Sequence, residues 1–142
     1  MIKVMRNRER THSGCPVLRD TEVFAYLKNG ELPDSAEFLD VPPGKVIRQR
    51  GVWLHPKTRM HYSMTMFLLS TDVYAMNVDS FEKDRDQVYC YYSPEAETCY
   101  LGRIEELADG RRMLCALLDG NHLPLNINDD GLQYVGRVIS AL

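Results

Sequence analysis

From about residue 46 onward the chain is a succession of short β-patterned runs, each closed by turn-forming residues before it is long enough for a helix. Val46–Trp53, Lys57–Met64, the apolar stretch 64–69, Asp72–Val78 and Gln87–Tyr92 come first, rich in Val and Tyr. Those residue types suit a pleated, half-buried surface. Thr98–Leu107 and Arg111–Leu118 flank Asp109-Gly110, and Leu123–Asn128 and Leu132–Ile139 flank Asp129-Asp130-Gly131. Both spacers are hairpin signals, because Gly reaches the left-handed backbone that tight turns demand. Strands at this spacing, joined directly by turns, predict a mainly β domain of mostly antiparallel strands rather than alternating βα units. With 142 residues, one such domain buries enough surface to fold without staples.

The first 45 residues read differently. Residues 1–19 are basic and lack an apolar period, with Lys3, Arg6, Arg8, Arg10 and Arg19 against Glu9, and predict a flexible arm. Asp20 to Gly30 admits two readings. Val23, Phe24 and Leu27 fit one face of a helix capped by Asp20 or Thr21 and stopped by Asn29-Gly30. The same residues also fit a short strand ending in an Asn-Gly turn. Pro33, Pro42, Pro43 and Gly44 then exclude a long element. The expected division is an arm over 1–40 and a β domain over 41–142.

Composition narrows the function classes. Net charge is −3, against a nucleic-acid binder driven by global positive charge. Direct nucleic-acid binding would rest on the basic arm alone. No apolar run approaches the ~18 residues of a membrane span, and MIKVMRNRER has no apolar stretch behind its charges, so a cytoplasmic location without membrane association is expected. The four cysteines, Cys15, Cys90, Cys99 and Cys115, contain no C-x-x-C pair. Cys90 and Cys99 flank one turn and are weighed as a disulfide, against the reading of buried Cys as a small hydrophobe. His12 and Cys15 form one H-x-x-C pair, but His55, His61 and His122 are scattered, so no metal site or cofactor is expected. Tyr89, Tyr91, Tyr92 and Tyr100 are read as cross-strand packing rather than base-stacking platforms, and Trp53 as a core or dimer anchor.

In the C-terminal half the order of motifs resembles a known family. Gly136-Arg137-Val138-Ile139 is similar to a closing G-R-V-V strand, and Asn121-His122-Leu123-Pro124-Leu125-Asn126-Ile127 to an N-x-x-x-P-I-x-I loop and strand. Ile104 to Arg111 resembles the hairpin between them and a catalytic lysine. Thr71 to Met76 and Asp84 to Tyr89 stand where two G-D-x-V strands are found. His61-Tyr62-Ser63-Met64 matches the last two residues of G-D-S-M, whose serine is a nucleophile. Together these resemble the LexA/UmuD-type self-cleaving serine–lysine peptidases over roughly residues 23 to 140, and the shorter UmuD-like members in particular. The resemblance implies a LexA/signal-peptidase-like pseudo-barrel with a flexible N-terminal arm. It places a self-cleavage bond at Asn29–Gly30.

The chemistry implied by that resemblance is incomplete here. A serine hydroxyl needs a base, which in this family is a lysine kept neutral by burial. The lysine position corresponds to Gly102, and no lysine follows Lys83. Arg103 stays protonated at any workable pH and does not substitute. His61 and Tyr62 replace the small Gly and the Asp before Ser63 and crowd the cleft. The expectation is a pseudo-peptidase acting by protein–protein contact. Ser63 would be a vestigial nucleophile position and Gly102 the lost lysine position. The resemblance implies a homodimer through Leu132–Leu142, with Tyr134, Val135, Val138 and Ile139 as apolar contacts; the alternative is that these residues close the monomer's own core. Partners in that picture are a repressor, the RecA filament or a DNA-repair polymerase, in the SOS response or in phage or plasmid control. The competing enzyme hypothesis is an active self-cleaving peptidase with another base, cutting at Asn29–Gly30.

Overall fold

A computed structural model describes residues 14–45, 47, 50–57, 65–71, 87–118 and 121–142. Nine strands and one helix are found among them. The strands are β1 (Gly14–Leu18), β2 (Glu37–Asp40), β3 (Arg50–Leu54), β4 (Phe67–Thr71), β5 (Tyr89–Ser93), β6 (Thr98–Glu106), β7 (Arg112–Leu118), β8 (Asn121–Asn126) and β9 (Gln133–Ala141); the helix α1 is Asp20–Asn29. They form one sheet in the order β2-β1-β3-β4-β9-β5-β6-β7-β8. Every neighbouring pair is antiparallel except β1 and β3, which run parallel. The fold is mainly β, as the turn spacing predicts. It is an open sheet with β2 and β8 at its ends, not a closed barrel. The expected strands over 58–64 and 72–78 lie outside the described residues.

Side-chain alternation decides which face each residue serves. On one face Val52, Leu54, Phe67, Leu69, Cys90, Tyr92, Cys99, Leu101 and Val135 form the main core, and α1 lies over it through Val23, Phe24, Tyr26 and Leu27. Phe24 stacks on Tyr92 with ring centroids 4.5 Å apart. The opposite face carries two smaller clusters. Trp53 and Leu68 pack with Cys15, Leu39, Val41 and Ile47; Tyr89, Tyr91 and Leu114 pack with Ile127, Leu132 and Tyr134. Fully burying one such Val or Leu stabilises by about 1.5–3 kcal/mol, which is why both faces of the central strands read as apolar.

The segment expected to be an arm is corrected from Gly14 onward. β1 is inserted between β2 and β3, and Gly14, Cys15, Pro16 and Leu18 are buried there. Gly14 to Val17 pair with β2, and Val17 and Leu18 with β3, so strand pairing, rather than any apolar period visible in GCPVL, orders this stretch. Residues 1–13, with Lys3, Arg6, Arg8, Arg10 and His12, lie outside the described residues.

Of the two readings of residues 20–30, the helix is the one formed. Its N-cap is Arg19 rather than Asp20 or Thr21, with Glu22 Oε1 accepting the Arg19 N–H at 2.8 Å. Asp20 is not free to cap, because its carboxylate turns inward. Oδ1 accepts the Lys57 N–H at 2.9 Å and Oδ2 the Cys99 N–H at 2.7 Å. The helix stops at Gly30, whose φ of 74° is the left-handed conformation that glycine adopts without penalty.

Candidate functional site

The resemblance assigns chemistry to Gly102, and the fold gives that position a definite environment. Gly102 is in β6, paired with Tyr89 of β5 on one side and Ala116 of β7 on the other. A Cβ placed there would run into the Cys115 carbonyl oxygen, 2.6 Å from the carbonyl carbon and 2.9 Å from Ala116 Cα. These are main-chain atoms of β7, so no side chain fits at residue 102 without moving a strand. A sequence comparison alone presents this glycine as a missing lysine. The geometry presents it as a position that requires glycine.

The other expected site residues are not gathered around it. Ser63, with His61 and Tyr62, lies outside the described residues. Asn29 and Gly30 are exposed at the end of α1, and the Gly30 N–H donates to Tyr26 O at 2.7 Å. Arg50 reinforces this cap, with Nη1 donating to Tyr26 O at 2.7 Å and to Leu27 O at 3.3 Å. The bond proposed for cleavage is therefore wound into a helix terminus. Lys57, one of the two lysines nearest Ser63 in sequence, directs its Nζ to the carbonyls of Ala96 and Glu97 at 3.3 and 3.5 Å.

The strand expected at a dimer contact lies inside the sheet of the single chain. β9 lies between β4 and β5, its second half (Arg137 to Ala141) paired with β4 and its first half (Gln133 to Arg137) with β5. Tyr134 packs against Tyr89 and Tyr91, with centroid distances of 6.4 and 5.6 Å. Val135 is in the core under α1, Val138 packs against that core, and Ile139 packs against the Trp53 cluster. These four residues close the monomer's own core. The outer strands are blunted: β2 is short, with exposed Glu37 and Asp40, and β8 carries Pro124, which has no N–H to offer.

The remaining chemical groups are mostly structural. The four cysteines are free thiols. Cys90 and Cys99 lie diagonally across the β5–β6 hairpin, and the Cys99 thiol donates to Asp20 O at 3.7 Å. The neighbouring Cys90 thiol and burial hold the Cys99 thiol well above its ordinary pKa, so it stays protonated and inert. Burial raises Cys115 as well, and a nearby Glu105 adds to the effect. Trp53 is fully buried and donates Nε1–H to Leu39 O at 3.2 Å, an internal anchor rather than a ligand platform. Among the described residues no three His, Cys, Asp or Glu side chains converge as metal ligands. No helix of the described residues is long and apolar enough to cross a membrane.

Sequence reasoning did not single out Asp20 as a tie between helix and hairpin, or Arg50 as the cap of α1. The signal for Asp20 was present as an acid at a helix start, but the N–H groups that donate to it come from residues 37 and 79 positions away. No protein-family model, curated protein or solved structure matches this chain.

Proposed function

We propose that this chain is a non-cleaving, LexA/UmuD-like regulatory domain that acts by protein–protein contact, in a DNA-damage response or in phage or plasmid repressor control. The observation that carries the reading is Gly102. The strand to which the resemblance assigns the general base approaches β7 so closely that a lysine has no room. The motif order also supports it. The segments that resemble the family's hairpin, its N-x-x-x-P-I-x-I strand and its closing G-R-V-V strand fall on β6–β7, β8 and β9 in sequence. The substrate side agrees. Cleavage of a peptide bond needs an accessible, extended backbone, whereas Asn29–Gly30 is held in a left-handed helix stop.

The partner is a repressor or another component of the same response, engaged as a folded domain.

The test is intact mass after prolonged alkaline incubation of the natural protein beside Ser63→Ala. Both are expected to stay whole. A Ser63-dependent cut after Asn29 would overturn the reading and make the chain an active peptidase. A cut equal in both proteins is spontaneous Asn-Gly chemistry and leaves the chain non-enzymatic. Mixing the chain with a LexA-type repressor from the same host, followed by sedimentation, tests the contact itself; two independent boundaries at micromolar concentration would count against it.

A further inference from the structure

At one end of the sheet the start of β1, the end of β2 and the start of β3 meet the last turn of α1. They enclose a cleft of about 640 Å³, bounded on its outer side by the loop from Val41 to Lys45. That volume falls in the range of about 300–1,000 Å³ typical of small-molecule sites. Pro16, Val41, Pro42 and Ile47 supply apolar wall, and Tyr26 an aromatic one. Among the described residues two cations, Lys45 and Arg50, line it against one carboxylate, Asp40. The cleft is thus locally positive on a chain whose net charge is −3.

Arg50 is pre-organised. Its guanidinium is anchored on the Tyr26 and Leu27 carbonyls and lies 5.5 Å from the Tyr26 ring centroid. A ligand arriving there does not have to immobilise a long side chain, which lowers the entropic cost of binding. Apart from Asp40, the weakly acidic side chains inside, Cys15 and Tyr26, add no opposing charge. Burial pushes the Cys15 thiol up to about 11 and raises the Tyr26 hydroxyl, so both are neutral near pH 7. For the same reason Cys15 is wall rather than nucleophile.

We propose that this cleft binds a small amphipathic organic anion, with its charged head toward Lys45 and Arg50 and a short apolar chain against Val41, Pro42 and Ile47. The head is a carboxylate or a phosphate monoester, and binding is independent of the peptidase resemblance.

Calorimetric titration of the full chain with decanoate and with decyl phosphate, below their micellar concentrations, tests this. Decanol and decylammonium serve as neutral and cationic comparisons. Saturable one-to-one binding of either anion, at least tenfold tighter than decylammonium, is expected. Asp40 and Lys45 are both exposed, so their variants leave the core intact, which an unchanged unfolding midpoint checks. Lys45→Glu is expected to weaken the anion roughly tenfold, and Asp40→Asn to strengthen it severalfold. Absence of saturable binding at millimolar anion, equal binding of the cation, or indifference to both charge changes would each overturn the proposal.

Discussion

Replacing Gly102 with alanine tests the strand geometry on which the functional reading rests. The added methyl would enter the Cys115 carbonyl and stand 2.9 Å from Ala116 Cα. Both neighbours are main chain, so no rotamer change relieves the overlap. β6 must move away from β7, weakening the Gly102↔Ala116 and Arg103↔Cys115 pairs. Overpacking of a packed interior costs about 1–3 kcal/mol, and a strained ladder hydrogen bond adds about 1 kcal/mol. The lower entropy of an unfolded chain with Ala in place of Gly offsets about 0.5–1 kcal/mol. The net expectation is a loss of about 1–3.5 kcal/mol.

Urea unfolding followed by Trp53 emission reads this directly, because Trp53 is the single tryptophan and is fully buried. With a urea slope of about 1–3 kcal/mol/M, the midpoint falls by roughly 1–2 M. Gly51→Ala supplies an internal comparison. Its methyl would meet Cys15 Sγ at 2.7 Å and Ile47 Cδ1 at 2.8 Å, both side-chain ends that can shift. Its cost should be the smaller, about 1 kcal/mol. If Gly102→Ala is as stable as the natural protein, or more stable, then β6 and β7 do not approach as described. Residue 102 would then have room for a side chain, and the proposed function would lose its main support.

Further expectations concern the helix and the thiols. Asp20→Ala leaves the Cys99 and Lys57 N–H groups without their acceptor, and a loss of about 2–4 kcal/mol is expected in the same urea assay. Arg50→Ala removes a cation from the carbonyls that end α1; it should cost about 1 kcal/mol and speed amide exchange at Gly30. Cys15 has a folded pKa of about 11 against an ordinary value of 9.0. Its contribution to stability is therefore complete below pH 9 and is lost as pH rises toward 11, because only the unfolded thiol ionises in that window. Unfolding midpoints measured between pH 8 and 11 should decline, and Cys15→Ala should flatten the decline. A thiol reagent at pH 8 should modify Cys115 before the fully buried Cys90 and Cys99.

The β architecture was legible because hairpin chemistry is local. Asp109-Gly110 and Asp129-Asp130-Gly131 name their own turns, and Gly110 and Gly131 adopt the positive φ those turns need, 90° and 63°. Cross-strand packing is seen for Tyr89 and Tyr91, which meet Tyr134 of β9, whereas Tyr92 stacks on Phe24 of α1. β1 was not legible, since GCPVL is too short and too proline-marked to signal a strand until β2 and β3 are beside it. The order of strands was equally hidden. Nothing in Gln133–Ala141 says that it inserts between β4 and β5. That placement depends on partners about 40 to 70 residues away, and no local propensity encodes it.

The positions that carried functional meaning in the sequence share one difficulty: each residue pattern satisfies two physical demands at once. Glycine at 102 is equally a deleted side chain and a place where two backbones touch. Asn-Gly is equally a scissile bond and a helix stop, and an apolar closing strand is equally a dimer seam and a core strand. Tertiary approach adds the second demand in each case: the Cys115 main chain at Gly102, the Tyr26 carbonyl and Arg50 at Gly30, and β4 and β5 on either side of β9. Under the proposed function the first two would bear on catalysis separately. One would bar the base, and the other would hold the bond in a conformation that must unwind before attack. Neither depends on where Ser63 lies, so restoring a base near that serine should not by itself produce cleavage. Loosening the cap as well, for example with Arg50→Ala, would be the second requirement.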